Sequence, residues 1–156
     1  MKVLFDTNVV LDIALNRHPF VEHAALLWRL SEQGQITACL SNTTITDIFY
    51  IVDKHAGRQK ALESISDILD TFKLVDIDEE GFRAALAENI RDFEDAVQYV
   101  ICTRNGCDVL VTRKKNDYGD KPEVLDPAEL IEWIMAEGGL ICAADEAPQP
   151  CIFMTA

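Results

Sequence analysis

The chain has 156 residues, of which 49% are hydrophobic and 26% charged, as in a folded domain rather than a disordered segment. Its 14 basic and 27 acidic residues give a formal net charge of −13, which argues against a general nucleic-acid coat protein. A nucleic-acid enzyme remains compatible with this charge, because bound metal ions would neutralise part of an acidic cluster. A strongly acidic surface also suits a basic protein partner.

The sequence contains no pattern that predicts secretion or a membrane span. The apolar run before Asp6 is too short for the core of a signal peptide. No apolar run approaches the roughly 18 residues that cross a bilayer. The five cysteines include no Cys-x-x-Cys motif, and reduced thiols fit the cytoplasm. We therefore expect a soluble, cytoplasmic protein without membrane contact.

Short apolar runs alternate along the chain with segments in which apolar residues recur at helical spacing. In chain order, we predict a strand at Lys2–Phe5, a helix from Asp6 to Asn16, a helix from Pro19 to Gly34, a strand at Ile36–Leu40, a helix capped by Ser41 or Asn42, a helix at Arg58–Thr71, a strand at Lys73–Ile77, a helix from Asp78 to Asn89, a helix capped by Asp92, a strand at Asp108–Thr112, a strand at Glu123–Leu125 and a helix from Asp126 to Gly138. This order predicts an α/β fold of three layers, in which helices flank a central parallel sheet of about five short strands.

Aspartates follow several of these strands or lie at the starts of helices. Asp6 comes directly after the first strand, Asp47 lies in the first turns of the helix after the second, and Asp117 follows the fourth by a short loop. Because ligands of open α/β sheets bind outside the carboxyl ends of the strands, we expect these three residues to converge. Asp92 and Asp95 reach the same edge only if the helix before them doubles back.

An acidic pocket without histidine or thiolate is a site for a hard cation such as Mg²⁺ or Mn²⁺. In phosphodiester cleavage, such ions stabilise charge on the phosphoryl and leaving oxygens and activate water. Asn8 and Thr112 carry short polar groups that suit the orientation of waters or carboxylates. A carboxylate placed directly after a buried strand, as Asp6 is, costs free energy unless it is paired or metal-bound. The spacing therefore supports a metal site.

Helix capping is the alternative explanation for several of these acids. Asp is a favoured N-cap residue, and acids in a first turn are stabilised by the helix dipole. Asp92 is interpreted either as a cap or as a further acid of the site. Asp126, which is followed by Pro127, is interpreted as a cap only. Asp12 either supports the site or faces solvent.

Four segments of the chain form a recognisable set of motifs: Val3–Val9 with Leu11–Asp12, Thr44–Ile48, Asp92–Tyr99 and Leu110–Tyr118. Taken together, these motifs resemble the PIN-domain nucleases over roughly residues 2–135, and the most similar branch is the toxin ribonucleases of bacterial toxin–antitoxin pairs. Each motif is weak alone, but four in family order are a specific match.

The resemblance implies a PIN-like nuclease domain over residues 1–137, a C-terminal tail of unknown structure at 138–156, and metal-dependent endoribonuclease activity on RNA. It also implies a small antitoxin as partner and a homodimer. Asp6, Asp47, Asp95 and Asp117 would be the catalytic acids, and Asp92 would join Asp6, Asp95 and Asp117 at the Mg²⁺ or Mn²⁺. One departure concerns Asp47, where the family commonly has Glu. The shorter side chain would act through water, with reduced activity or a shifted metal.

The basic run beside Asp117 has two interpretations. Arg113, Lys114 and Lys115 are candidates for contacts with RNA phosphates. Alternatively, they form an ordinary solvated basic loop.

Other enzyme classes fit the sequence less well. A haloacid-dehalogenase-like phosphatase requires a second Asp two residues after the first, but position 8 is Asn, and a receiver domain requires an acidic pair that is absent after the first strand. His18, His23 and His55 share no spacing that suggests a joint site. The remaining alternative is a catalytically weak or inactive PIN-like module that binds RNA or a protein partner, which the Asp47 departure supports.

Overall fold

Five parallel strands form the centre of the fold. The structure is a computed structural model that describes residues 1–138. Every neighbouring pair of strands is parallel, and the order across the sheet is β3–β2–β1–β4–β5. The strands are β1 (Lys2–Phe5), β2 (Thr37–Ser41), β3 (Lys73–Val75), β4 (Val109–Val111) and β5 (Val124–Leu125).

Seven α-helices cover the sheet in the described part of the chain, together with 3₁₀ turns at Asn42–Thr44 and Lys115–Tyr118. The helices are α1 (Thr7–Ala14), α2 (Val21–Glu32), α3 (Ile45–Ala56), α4 (Arg58–Thr71), α5 (Glu79–Ala87), α6 (Phe93–Arg104) and α7 (Pro127–Ala136). The predicted three-layer α/β fold with a parallel sheet is confirmed. Apart from Gly138, the predicted tail lies outside the described residues. None of the helices within residues 1–138 is long and apolar enough to cross a bilayer.

Helices lie on both faces of the sheet because successive side chains of a strand point to opposite faces. Val3 and Phe5 belong to a core that includes Trp28 of α2 and Ile48 of α3. Leu4 belongs to a second core, which includes the buried side of α6. The continuous apolar character of β1 is therefore required by burial on both faces.

Gly57 is the single residue between α3 and α4. Its backbone has φ 87° and ψ 161°, a conformation that is essentially restricted to glycine. The residue therefore lets α3 end and α4 begin without an intervening loop, and the two helices pack against each other.

The chain doubles back between α5 and α6, as the placement of Asp95 requires. The two helices pack against each other and are joined by residues 88–92. The start of α6 consequently lies beside the segment that follows β4, where Lys114 Nζ is 3.5 Å from Asp95 Oδ1.

Phe72 provides a test of the first core. Its side chain is 5% exposed, and its ring makes edge contacts with Phe5 and Trp28 at centroid distances of 5.0 and 4.9 Å. Because Phe72→Ala leaves a cavity in this cluster, we expect the free energy of unfolding to fall by about 3–5 kcal/mol in urea denaturation. The control Leu86→Ala, at a side chain that is 74% exposed, should change it by less than about 0.5 kcal/mol. Equal losses in the two variants would contradict this account of the core.

Candidate active site

The strand order places a crevice between β1 and β4. Strands β2 and β3 lie on one side of β1, and β4 and β5 lie on the other, so the order of the chain reverses at this point. Such a switch point is where open α/β sheets bind ligands. Asp6 follows β1 and Thr112 follows β4, and the backbone N–H of Asp6 donates to the carbonyl oxygen of Val111 at 3.0 Å. The register of the two strands therefore sets Asp6 beside Thr112.

Asp6 is held by the two polar side chains that the sequence suggested as its support. The carboxylate is 3% exposed, and Thr112 Oγ1 donates to its Oδ2 at 2.7 Å. Asn8 Nδ2 donates to the same oxygen and, at 3.1 Å, to Thr112 Oγ1. Burial raises the pKa of Asp6, whereas the Thr112 hydrogen bond and the Lys114 charge oppose that rise. The carboxylate is thus oriented but only partly compensated in charge.

Asp95 is the second buried acid and lies in the first turn of α6. Its side chain is 2% exposed, and Oδ1 accepts a long hydrogen bond of 3.4 Å from the Tyr118 hydroxyl. The other oxygen, Oδ2, is buried and has no hydrogen-bond partner among residues 1–138. Burial raises the pKa of Asp95, Lys114 opposes the rise, and the negative charge of Asp6 adds to it. The two buried acids therefore act on each other across the crevice.

Asp92 is the N-cap of α6, as one of its two interpretations stated. Its Oδ1 accepts from the backbone N–H groups of Glu94 and Asp95, at 2.9 and 3.3 Å. The Asp92 charge also contributes to the raised pKa of Asp95 and Glu94, so this cap lies near the acid cluster. Glu94 was not predicted from the sequence as a site residue. Burial raises its pKa, and the charge of Asp6 adds to the rise. Its position between two aspartates of one motif was the available signal.

Lys114 lies among the acids rather than apart from them. Its ammonium pairs with Asp95, and the combined charges of Asp95, Asp6, Asp92 and Glu94 raise its pKa although burial opposes the rise. The sequence suggested a contact between Lys114 and RNA phosphate. In the structure, this side chain is the internal counter-charge of the cluster.

The side chains of Asp47 and Asp117 are both exposed. Asp47 lies in the first turn of α3, and Asp117 lies in the 3₁₀ turn, where its backbone N–H donates to the Lys114 carbonyl at 2.8 Å. Within residues 1–138, neither side chain makes a hydrogen bond or ion pair. Neither charge is a leading cause of the raised pKa of Asp6 or Asp95. Asp6 and Asp95 are thus the buried acids, Asp92 caps the helix that carries Asp95, and Asp47 and Asp117 are exposed.

The other two basic residues of the loop also have acidic partners. Arg113 Nε is 2.9 Å from Oδ2 of Asp12, a residue that is 1% exposed, and Lys115 Nζ is 2.7 Å from Oε1 of Glu129. Burial raises the pKa of Asp12 to about 6 against the opposing charge of Arg113. Neither interpretation of the basic run predicted these pairs. Asp12 is buried rather than solvent-facing.

The donor set suits a hard divalent cation. Mg²⁺ is usually bound by one or two carboxylates and several waters, and Asp6 and Asp95 supply two buried carboxylates. The unpartnered Oδ2 of Asp95 is a free oxygen ligand at this position. In the part of the chain that the structure describes, no group of three or more His, Cys, Asp or Glu side chains forms a ready-made metal site. The fit therefore rests on two carboxylates, which Lys114 neutralises in part.

Replacement of Lys114 tests its role as counter-charge. Since its ammonium lowers the pKa of both Asp6 and Asp95, we expect Lys114→Met to raise the pKa of each, as measured by NMR titration of the carboxyl carbons. A carboxyl whose folded pKa lies above its unfolded value binds protons more tightly when folded. The free energy of unfolding therefore falls as pH rises from the unfolded pKa through the folded pKa of such a carboxyl. We expect this fall to be larger in Lys114→Met than in the unaltered protein.

Lys115→Met is the matched control, because Lys115 pairs with Glu129 instead. Both buried acids should titrate in that variant as in the unaltered protein. Identical titrations in Lys114→Met and Lys115→Met would rule out the assigned role.

Comparisons with known proteins agree with the α/β fold. The model of the PIN domain family matches residues 2–116. Ribonuclease VapC1 of Aquifex aeolicus (strain VF5) is 26% identical over 136 residues, which cover 84% of this chain and 94% of that protein. A toxin–antitoxin complex from Klebsiella pneumoniae contains a chain that is 22% identical, with a TM-score of 0.62 over 80% of this chain and 97% of that one.

The crystal structure of VapC20 of Mycobacterium tuberculosis, described as a sarcin–ricin-loop-cleaving toxin, is also similar in fold. It is 14% identical, with a TM-score of 0.57 over 69% of this chain and 86% of that one. The family match covers most of the chain, including β1 with Asp6 and the start of α6 with Asp95. This protein therefore belongs to the PIN domain family.

Proposed function

We propose that this chain is a metal-dependent endoribonuclease and the toxin of a toxin–antitoxin pair. The observation that carries the proposal is the pair of buried acids, Asp6 and Asp95, at the switch point of the sheet. Buried carboxylates whose pKa values are raised and whose charges act on each other are typical of functional sites. The similarity to a protein named as a ribonuclease supports RNA as the substrate.

Asp6 and Asp95 would hold Mg²⁺ or Mn²⁺, with Asp92 and Asp117 at the exposed rim acting through water. When bound, the ion supplies positive charge for the phosphoryl and leaving oxygens and lowers the pKa of a water. Thr112 and Asn8 orient the carboxylate of Asp6 through its Oδ2. These two contacts fix one ligand in position before any substrate arrives.

Other groups near Asp6 and Asp95 affect the charge of these two acids. Asp95 lies in the first turn of α6, where the helix dipole stabilises a negative charge. Lys114 compensates part of the charge of Asp6 and Asp95. With an ion held by these acids, the half-exposed ammonium of Lys114 would be available to a phosphate oxygen of the RNA.

Asp47 would contribute less than the buried acids. It is exposed and has no partner within residues 1–138, and its side chain is shorter than the Glu that the resemblance leads us to expect at this position. We therefore assign it a role through water. The same features favour the second candidate, a catalytically weak or inactive module that binds RNA or a protein.

A small antitoxin is the proposed partner, and a homodimer is the proposed assembly. The net charge of −13 suits a partner with a basic segment, and the similar Klebsiella pneumoniae structure is described as a toxin–antitoxin complex. The cytoplasm, where RNA substrates are found, is the proposed location.

Cleavage of RNA by the purified protein, freed of any partner, is the direct test. We expect activity on an RNA pool with Mg²⁺ or Mn²⁺ and a loss of at least about 100-fold in Asp6→Asn, which keeps the shape but removes the charge. Thr112→Val, which removes the hydrogen bond to Asp6, should cost about 10- to 100-fold. Asp47→Ala should cost less than Asp6→Asn.

Asp70→Asn is the control for these variants, because it removes an exposed carboxylate on α4. Its activity should equal that of the unaltered protein. If neither metal supports cleavage, the enzyme proposal is wrong, and the second candidate, a module that binds RNA or a protein, remains.

The reading frame beside this gene tests the partner. We expect it to encode a small protein with a basic or amphipathic end. Co-expression should yield a complex in size-exclusion chromatography, and that complex should cleave RNA more slowly than the free chain. Separate elution and unchanged cleavage would remove the antitoxin from the proposal.

A further inference from the structure

A cavity of about 200 Å³ lies beside the candidate active site. Its lining consists of Phe20, His23, Arg113, Asp126, Pro127 and Ala128. We propose that this cavity holds a nucleobase of the RNA substrate, stacked against the pair that the Phe20 ring and the Arg113 guanidinium form together, so that both groups are needed. The proposal rests on the ribonuclease function proposed above, and it assigns that enzyme a subsite for a nucleotide next to the cleaved bond.

Arg113 presents a fixed plane rather than a mobile charge. Its Nε is 2.9 Å from the buried carboxylate of Asp12, and its Cζ lies 4.2 Å from the centroid of the Phe20 ring. Its backbone N–H also donates to Asn8 Oδ1 at 3.2 Å. Because Asp12 already compensates the positive charge, a phosphate gains less from this guanidinium than from a free one. A planar guanidinium remains suited to stacking with a base.

Phe20 supplies an exposed aromatic surface at the same place. The residue precedes the first turn of α2, and its side chain is 44% exposed. Aromatic rings at the surface of proteins that bind single-stranded nucleic acids stack bases of any sequence. Pro127 and Ala128, in the first turn of α7, add apolar surface to the lining, and His23 adds a polar ring that suits the edge of a base.

The cavity is connected to the acid cluster by the chain itself. Arg113 lies between Thr112, which donates to Asp6, and Lys114, which pairs with Asp95. Asn8 contacts both places, because its Oδ1 accepts from Arg113 while its Nδ2 donates to Asp6. A nucleotide whose phosphate lies at the acids can therefore place a neighbouring base in the cavity.

This arrangement changes the role expected for Arg113. The sequence suggested a contact with phosphate, which would add affinity without sequence information. A contact with a base instead makes cleavage depend on whether a base is present at one position. That dependence separates the two roles experimentally.

The test uses an RNA oligonucleotide chosen from those that the full-length protein cleaves, with a single abasic ribose placed at each position in turn. At one position beside the cleaved bond, we expect loss of the base to raise KM roughly 5- to 100-fold, the range of one stacking contact. Phe20→Ala should cleave the intact and the abasic RNA with equal KM at that position. Arg113→Lys, which keeps the charge but loses the plane, should do the same.

Phe82→Ala is the matched control, because its ring is 38% exposed on α5 and lines no part of this cavity. It should retain the full effect of the abasic position. Phe20→Trp, which restores an aromatic surface, should also retain it. The subsite is overturned if no position depends on its base, or if Phe20→Ala retains the dependence.

A second measurement keeps the two proposals distinguishable. In a buffer with a chelator, an RNA that carries 2-aminopurine is mixed with each variant, and stacking is detected as quenching of fluorescence. Quenching that is lost in Phe20→Ala and retained in Phe82→Ala supports the subsite even if no RNA is cleaved, in which case only the enzyme proposal fails. If the unaltered protein cleaves RNA but the quenching does not depend on Phe20, only the subsite proposal is wrong.

Discussion

The burial of one carboxylate, that of Asp6, is the constraint on which the rest of the site depends. A buried charge costs free energy unless hydrogen bonds and opposite charges compensate for it. Thr112 and Asn8 provide the hydrogen bonds, and Lys114 provides charge, so residues from the ends of β1 and β4 are drawn together at the switch point. The compensation is incomplete, since the pKa of Asp6 remains raised.

The basic loop after β4 places each of its three cations against an acid. Arg113 faces Asp12, Lys114 faces Asp95 and Lys115 faces Glu129. The Lys115–Glu129 pair is half-exposed on both sides and contributes little to stability, whereas Asp12 and Asp95 are buried and would be left less compensated without their partners. The effect of the three ion pairs is to hold the side chains in defined positions, and only Lys114 points into the candidate active site. One loop thereby provides a counter-charge for the acids and a planar group for the neighbouring cavity.

The order and type of the elements were predictable from periodicity, and the observed bounds differ from the predicted ones by only a few residues. The N-cap of α7 was also predictable, because Asp126 followed by Pro127 is a local signal, and the structure shows a full capping box with Glu129. Partners distant in sequence were not predictable in this way. Asp12 and Arg113 are separated by about a hundred residues, and no local pattern connects them.

What the sequence by itself determined is the class of fold and the place of Asp6 at the carboxyl end of a buried strand, because strand and helix periods are local. The tertiary structure alone decided which acids are buried together. The return of the chain from α5 to α6 sets Asp95 in the crevice with Asp6, while Asp47 and Asp117 remain exposed. It also decided that Lys114 lies among the acids, since an ion pair depends on distance in space, which residue spacing does not specify.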